Sequence, residues 1–176
     1  LKILSLPLPK ASLSLMADSG VLQQILPDGF DLSSLDRTDD EPLRRLATIA
    51  TFGAEALSQR LCLSNRQSER LQFLMMPPPQ FRPGLQRKEL RRLLYDYGSM
   101  AIEDLALQQG DFKTAAKIDA LAPPPFPLSG SDVISAGVPP GPEIGKLLRA
   151  VENEWRNDDF SADYDELLQI LRIKLT

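Results

Sequence analysis

Histidine is absent from these 176 residues. That removes the commonest general base, the commonest zinc ligand and every catalytic triad that depends on an imidazole. Cysteine occurs once, at Cys62, so no disulfide can close within the chain. Its setting in the apolar helical stretch ALSQRLCL predicts a buried, inert thiol. No run approaches the roughly 18 uninterrupted apolar residues of a membrane span. The apolar opening LKILSLPLPK is broken by Pro7 and Pro9 and is followed by no small-residue cleavage site, so it is not a signal peptide. It has no initiating methionine and reads as cut from something longer. Sustained two-residue alternation is missing, so no half-buried strand is expected. These absences predict a cytoplasmic, non-secreted, all-helical protein with no catalytic site and no metal site of its own. Carboxylate-and-magnesium chemistry is the enzyme class they leave open.

Enough apolar residues are present for a folded core, 43% of the chain against 25% charged. The formal net charge of −4 hides an asymmetry: residues 37 to 92 hold eleven Lys/Arg against six Asp/Glu, a net of +5. A basic middle between acidic ends suits a molecule that turns one face to a polyanion.

Helical spacing organises almost every segment. A first helix is expected near Lys10 to Leu26. Pro42, behind Asp39, Asp40 and Glu41, opens a second, with Leu43, Leu46, Ala47, Ala50, Ala54, Leu57 and Leu61 on one face. Ser64 and Gln67 form a capping-box pattern for a helix to about Met76. Prolines then stop the chain at PPPQFRPG. Beyond it Leu90, Leu93, Leu94 and Tyr97 make an apolar stripe, and Gly98 is a stop or a close helix contact. Two more helices are expected over Met100 to Gln108 and Asp111 to Leu121. A second proline cluster, APPPFPLSG, precedes a tail: a short helix (SDVISAG), a turn (VPPGP), a long helix with Ile144, Leu147, Leu148, Val151 and Trp155 inward, and a last helix from about Asp163. The expected architecture is all-α, without a β-sheet: a helical body over 1–122 with a proline-rich break near 77–84, and a helical tail over 123–176.

Two patterns carry possible chemistry. Arg87, Lys88, Arg91, Arg92 and Tyr95 fall on the face of their helix opposite the apolar stripe. Four cations on one face suit a phosphate backbone, Arg82 extends the patch, and Tyr95 offers a ring for stacking. Because Arg91 and Arg92 face away from Leu90 and Leu94, replacing them should weaken RNA binding without unfolding the helix. A solvated face balanced by acids elsewhere is the competing account. The second pattern is GSDVISAGVPPGPEIGKLLRAV. Gly141 and Gly145 would permit close backbone approach, and the amides of that helix start, with Lys146, could hold a phosphate. Close helix packing with Asp132 as a cap is the alternative. The pair Asp163 and Asp165 has magnesium-ligand spacing but is better explained as helix capping.

At this point the order of segments resembles the C-terminal half of the bacterial tRNA CCA-adding nucleotidyltransferase and poly(A) polymerase family, in its alphaproteobacterial form. The matching stretches are SLMADSGVLQQILP, LATIATFGAEALSQRLCLSNRQSERLQFL, RKELRRLLYDYG and FPLSGSDVISAGVPPGPEIGKLLRAVENEW. The last is the most specific, its Gly130, Asp132, Gly137, Gly141, Pro142 and Gly145 falling where that family's tail signature is expected. The resemblance implies a body and tail that hold the acceptor arm and elbow of tRNA. It also implies a partner outside this chain, an N-terminal catalytic head with a neck, which would carry the magnesium and the ATP or CTP. The chain alone would then bind structured RNA, need no cofactor, and transfer no nucleotide. A helical protein-interaction module or a purely structural support remains the alternative.

Overall fold

A computed structural model describes residues 1–175. Twelve α-helices are found among them: α1 (Pro9–Asp18), α2 (Val21–Ile25), α3 (Pro42–Ile49), α4 (Ala54–Arg60), α5 (Asn65–Met75), α6 (Arg87–Tyr97), α7 (Ser99–Gln108), α8 (Phe112–Ala115), α9 (Ile118–Leu121), α10 (Gly130–Ser135), α11 (Pro142–Asn157) and α12 (Tyr164–Lys174). A 3₁₀ turn covers Leu35–Arg37, and the extended pairing among the described residues is a single bridge between Phe30 and Ala50. The all-α class is therefore as expected. The chain forms two compact units: Leu1–Leu85 with Asp96–Ala120, and Gln86–Tyr95 with the residues from Leu121 on.

In the first unit α3 is the central rod. Leu43, Leu46, Ala47 and Ile49 are buried on it, together with Arg44 and Arg45, and it packs against α5 and α7. Pro42 sits in its first turn, and the Glu41 carboxylate accepts from the Arg44 amide at 2.9 Å. Both buried guanidiniums are engaged, although Arg45 Nε is buried without a partner among the described residues. Arg45 Nη1 donates to the carbonyls of Leu4 and Leu6, both at 2.6 Å, which ties the N-terminal segment to α3. Arg44 is paired with Asp39 from the preceding loop and with Asp104 of α7, and Arg70 of α5 reaches the same Asp104 at 2.5 Å and Glu41 at 3.1 Å. One ion network thus joins α3, α5 and α7.

Two expected helices are broken in this unit, each by its backbone. The first is cut at Gly20, which adopts φ +76° after the C-terminal turn of α1. The second stops at Ala50, where the chain turns extended: Asp31 N donates to Ile49 O at 2.7 Å and Thr51 N to Gly29 O at 3.4 Å. A side chain at Gly29 would meet Thr51 Oγ1 at 2.4 Å with φ at +120°, so the crossing requires glycine. Ala47, Ala50 and Ala54 keep helical register across the break, which is why spacing alone concealed it. The segment from Asp111 likewise forms two short helices, α8 and α9.

Cys62 departs from expectation. It is exposed, because it follows the last turn of α4 in a left-handed conformation, φ 50°. Cys62 N donates to Gln59 O at 3.2 Å and Leu63 N to Ser58 O at 2.9 Å, the paired bonds of a Schellman stop whose usual residue at this position is glycine. Cys62→Gly should therefore raise stability by about 1 kcal/mol. A higher urea midpoint checks this, and an unchanged or lower one refutes it. The native thiol should also react with a disulfide reagent without denaturant.

The second unit is built on an aromatic centre. Leu128, Val133, Val138, Val151, Trp155, Phe160, Leu167 and Leu171 form its core, with Ile144, Leu147 and Leu148 of α11 packed against it as their spacing requires. The Trp155 ring meets Phe160 at 5.0 Å, Phe126 at 5.4 Å and Tyr95 at 5.7 Å, and its indole N–H donates to Ala162 O at 3.0 Å. α11 packs on both α10 and α12.

Candidate nucleic-acid interface

The expected basic face of α6 divides in two. Leu90, Leu93 and Leu94 are buried, and at the start of the helix Arg87 and Lys88 are exposed. Neither of these two has a partner among the described residues, so both are available to an anion. Arg82 is exposed in the loop before α6.

The remaining three residues of the stripe are only partly exposed and are engaged within the protein, where the helical wheel predicts a solvent face. Arg91 is only 13% exposed at its side chain. Its Nη1 donates to Asp159 O at 2.5 Å and pairs with the Asp159 carboxylate at 3.1 Å, its Nε donates to Leu121 O at 3.2 Å, and the guanidinium lies 5.1 Å from the Phe160 ring centre. Arg92 donates to Arg156 O at 3.3 Å and to Asn157 Oδ1 at 2.8 Å, closing the C-terminal end of α11. Tyr95 donates to Glu152 and packs its ring on Trp155 and Phe160. The physical reason is that Trp155, Phe160 and the end of α11 pack on this side of α6 within the second unit. Tyr97, placed by spacing in the apolar stripe, is 44% exposed instead.

The glycine-rich segment works as two helix ends. Ser129 and Asp132 form a reciprocal capping box on α10, and the Tyr164 hydroxyl of α12 donates to Asp132 Oδ1 at 2.7 Å. Hydrogen bonds from Ser129 and then from Tyr164 hold the Asp132 carboxyl below its ordinary range. Gly137, at φ +101°, ends α10, with Val138 N donating to Val133 O at 3.3 Å. Gly130 lets Ile144 approach to within 3.5 Å of where a Cβ would sit. Gly141 and Gly145 have no comparably close packing neighbour: the nearest atoms to a Cβ would be Pro139 O at 4.0 Å and Arg149 Nη2 at 3.9 Å. The close approach expected at this pair is therefore made at Gly130.

Pro142 opens α11, no side chain caps the helix at Gly141, and Lys146 pairs with Glu143 at 2.7 Å on the surface. Arg149, one turn on from Lys146, is exposed and without a partner among the described residues. Sequence reasoning missed it, although the spacing that turns Leu147 and Leu148 inward also turns Lys146 and Arg149 out. Asp163 caps α12, as expected, in a box with Glu166. Among the described residues no group of three or more Cys, Asp or Glu is arranged to hold a metal ion, and no helix is long and apolar enough to cross a membrane.

No family model matches the chain. It is similar to the mitochondrial CCA tRNA nucleotidyltransferase 1 of Mus musculus and of Homo sapiens, 32% identical to each over 69 residues that make up 39% of this chain and 16% of the relative. The corresponding protein of Danio rerio is 32% identical over 68 residues. The match thus takes in less than a fifth of these relatives' length. It bears on tRNA nucleotidyltransferases at large and not on their alphaproteobacterial form.

Proposed function

We propose that this chain is the RNA-holding helical part of a cytoplasmic tRNA nucleotidyltransferase, a CCA-adding enzyme or a poly(A) polymerase of that kind, and that it grips the acceptor arm or elbow of tRNA for a catalytic head outside these residues. The similarity to CCA tRNA nucleotidyltransferases carries the reading. Exposed cations at Arg82, Arg87, Lys88, Lys146 and Arg149 support it. Arg91, Arg92 and Tyr95 then contribute by holding the second unit together. Magnesium and ATP or CTP would belong to the head.

Binding of a tRNA acceptor minihelix, titrated against salt, tests the proposal. With about four phosphates engaged, the log–log slope of affinity against salt is expected near −3 to −4. Replacing Arg87 and Lys88 together with alanine should lower affinity and reduce the slope by about 2, since each phosphate contact contributes about 1. A flat salt dependence, or no binding at low salt, refutes it.

A further inference from the structure

A cleft of about 880 Å³ opens on the first unit between α5 and the corner where α6 meets α7. Arg66, Arg70 and Phe73 line it from α5, and Tyr97, Met100 and Asp104 from the other side. We propose that this cleft takes an unpaired base of a bound RNA, stacked on Tyr97, with Arg66 on the adjoining phosphate. The inference rests on the RNA-holding reading above and adds a second, single-strand contact to it.

The geometry supplies each part. Tyr97 is 44% exposed, although a helix-borne aromatic ordinarily buries most of its large surface. Its ring centre lies 5.5 Å from that of Phe73, tilted by 48°, so Phe73 backs the ring while part of it stays open. The Tyr97 hydroxyl has no partner among the described residues. Met100, 69% exposed on the rim, adds a polarizable apolar wall. The charges in the cleft are not equivalent. Arg70 is held by Asp104 at 2.5 Å and by Glu41 at 3.1 Å, which neutralises the floor. Arg66 is exposed and has no partner among the described residues, so its guanidinium is open to a phosphate, while the exposed Glu69 on the same helix is the one lining carboxylate outside the Arg70 pairing. An open aromatic ring beside a free arginine is the combination that holds single-stranded nucleic acid with little regard to sequence. A paired stem offers no free base face, so the occupant is a loop or an unpaired end of a structured RNA.

The test compares Tyr97→Leu, Tyr97→Phe and Arg66→Gln in the whole chain, binding a tRNA with 2-aminopurine at unpaired positions. Loss of one stacked base should make Tyr97→Leu bind about 5- to 150-fold more weakly with the salt slope unchanged, while Tyr97→Phe stays within about twofold of the unaltered protein. Arg66→Gln should reduce the slope by about 1. Binding by the unaltered protein should quench 2-aminopurine at one unpaired position, and Tyr97→Leu should abolish that quenching. Circular dichroism melts confirm that the variants are folded. If Tyr97→Leu binds like the unaltered protein while the Arg87 and Lys88 replacements weaken binding, the cleft inference is overturned and the RNA-holding reading stands. Equal losses in Tyr97→Leu and Tyr97→Phe also overturn it, because the hydroxyl and not the ring would then be at work. No binding by the unaltered protein overturns both.

Discussion

Asp104→Ala is expected to destabilise the first unit by about 3–5 kcal/mol, the range for breaking a buried ion pair from one side. Asp104 is 8% exposed on α7 and receives Arg44 from α3, itself 9% exposed, and Arg70 from α5, at 2.5 and 2.7 Å. Removing the carboxylate leaves two guanidiniums converging on a vacated site. Burial works against the charge on Arg44, yet its bonds and charge pairing with Asp39 and Asp104 more than offset this and raise its pKa. Asp104→Asn keeps the shape and one acceptor, so its loss should be intermediate. Urea unfolding followed by far-UV circular dichroism measures the series; a midpoint for Asp104→Ala equal to that of the unaltered protein would show that the network contributes nothing. The same network sets an acid limit. Burial pushes the Asp39 carboxyl up, but the hydrogen bonds and charge of Arg44 outweigh this and hold it below the ordinary 3.8 of an aspartate. A carboxylate depressed on folding contributes stability that is fully present above its unfolded pKa and disappears as pH falls through the folded one. Stability should therefore decline below about pH 4, and less steeply in Arg44→Met.

What could be read in advance was what is decided locally. Ser64 and Gln67 are three residues apart, so their reciprocal cap depends on nothing distant, and it forms; Asp163 caps α12 as its place before an apolar run implied, with Glu166 as the reciprocal partner that the pair Asp163 and Asp165 did not point to. The inward row of α11 was equally legible, because that helix presents one apolar face to one core. Legibility failed where a distant partner decided. Ala50 leaves the helix for a bridge to Phe30, twenty residues back, and no propensity in ATFG announces it. Cys62 lies outside the core because α4 ends at Arg60 and the chain turns through Cys62 in a conformation that glycine would normally occupy. Tyr95 and Tyr97 exchange roles because the Trp155 core takes up Tyr95, and a helical wheel built on the leucine stripe assigns that side of α6 to solvent. For the candidate interface, spacing located the cations but not their engagements: Arg87 and Lys88 are open to solvent, while Arg91 and Arg92 hold backbone carbonyls more than twenty-five residues away in sequence.

Arg91→Ala is accordingly expected to lower the stability of the second unit by about 3–5 kcal/mol, and to affect RNA binding only through that loss. Asp158 closes α11, and the next two residues, Asp159 and Phe160, are both left-handed at φ 55° and 60°. Two L-residues in this conformation cost about 1–2 kcal/mol each, so the connection to α12 needs outside support. Phe160 N donating to Trp155 O at 2.9 Å, with the two rings 5.0 Å apart, supplies part of it. Arg91 supplies the rest, binding the Asp159 carbonyl and carboxylate and lying against the Phe160 ring. Without it the Asp159 carboxylate, whose Oδ1 is already buried without a partner, loses its counter-ion. Arg91→Lys keeps a charge but not the fork that also reaches Leu121 O, and should lose an intermediate amount. Trp155 is the single tryptophan and sits in this core, so its fluorescence in urea reports the second unit directly. Under conditions where Arg91→Ala still shows native Trp155 emission, its tRNA affinity should stay within about twofold and its salt slope unchanged, unlike the Arg87 and Lys88 replacements. A folded Arg91→Ala whose slope falls by about 1 would mean that this guanidinium leaves Asp159 to meet a phosphate, and the supporting role would be wrong.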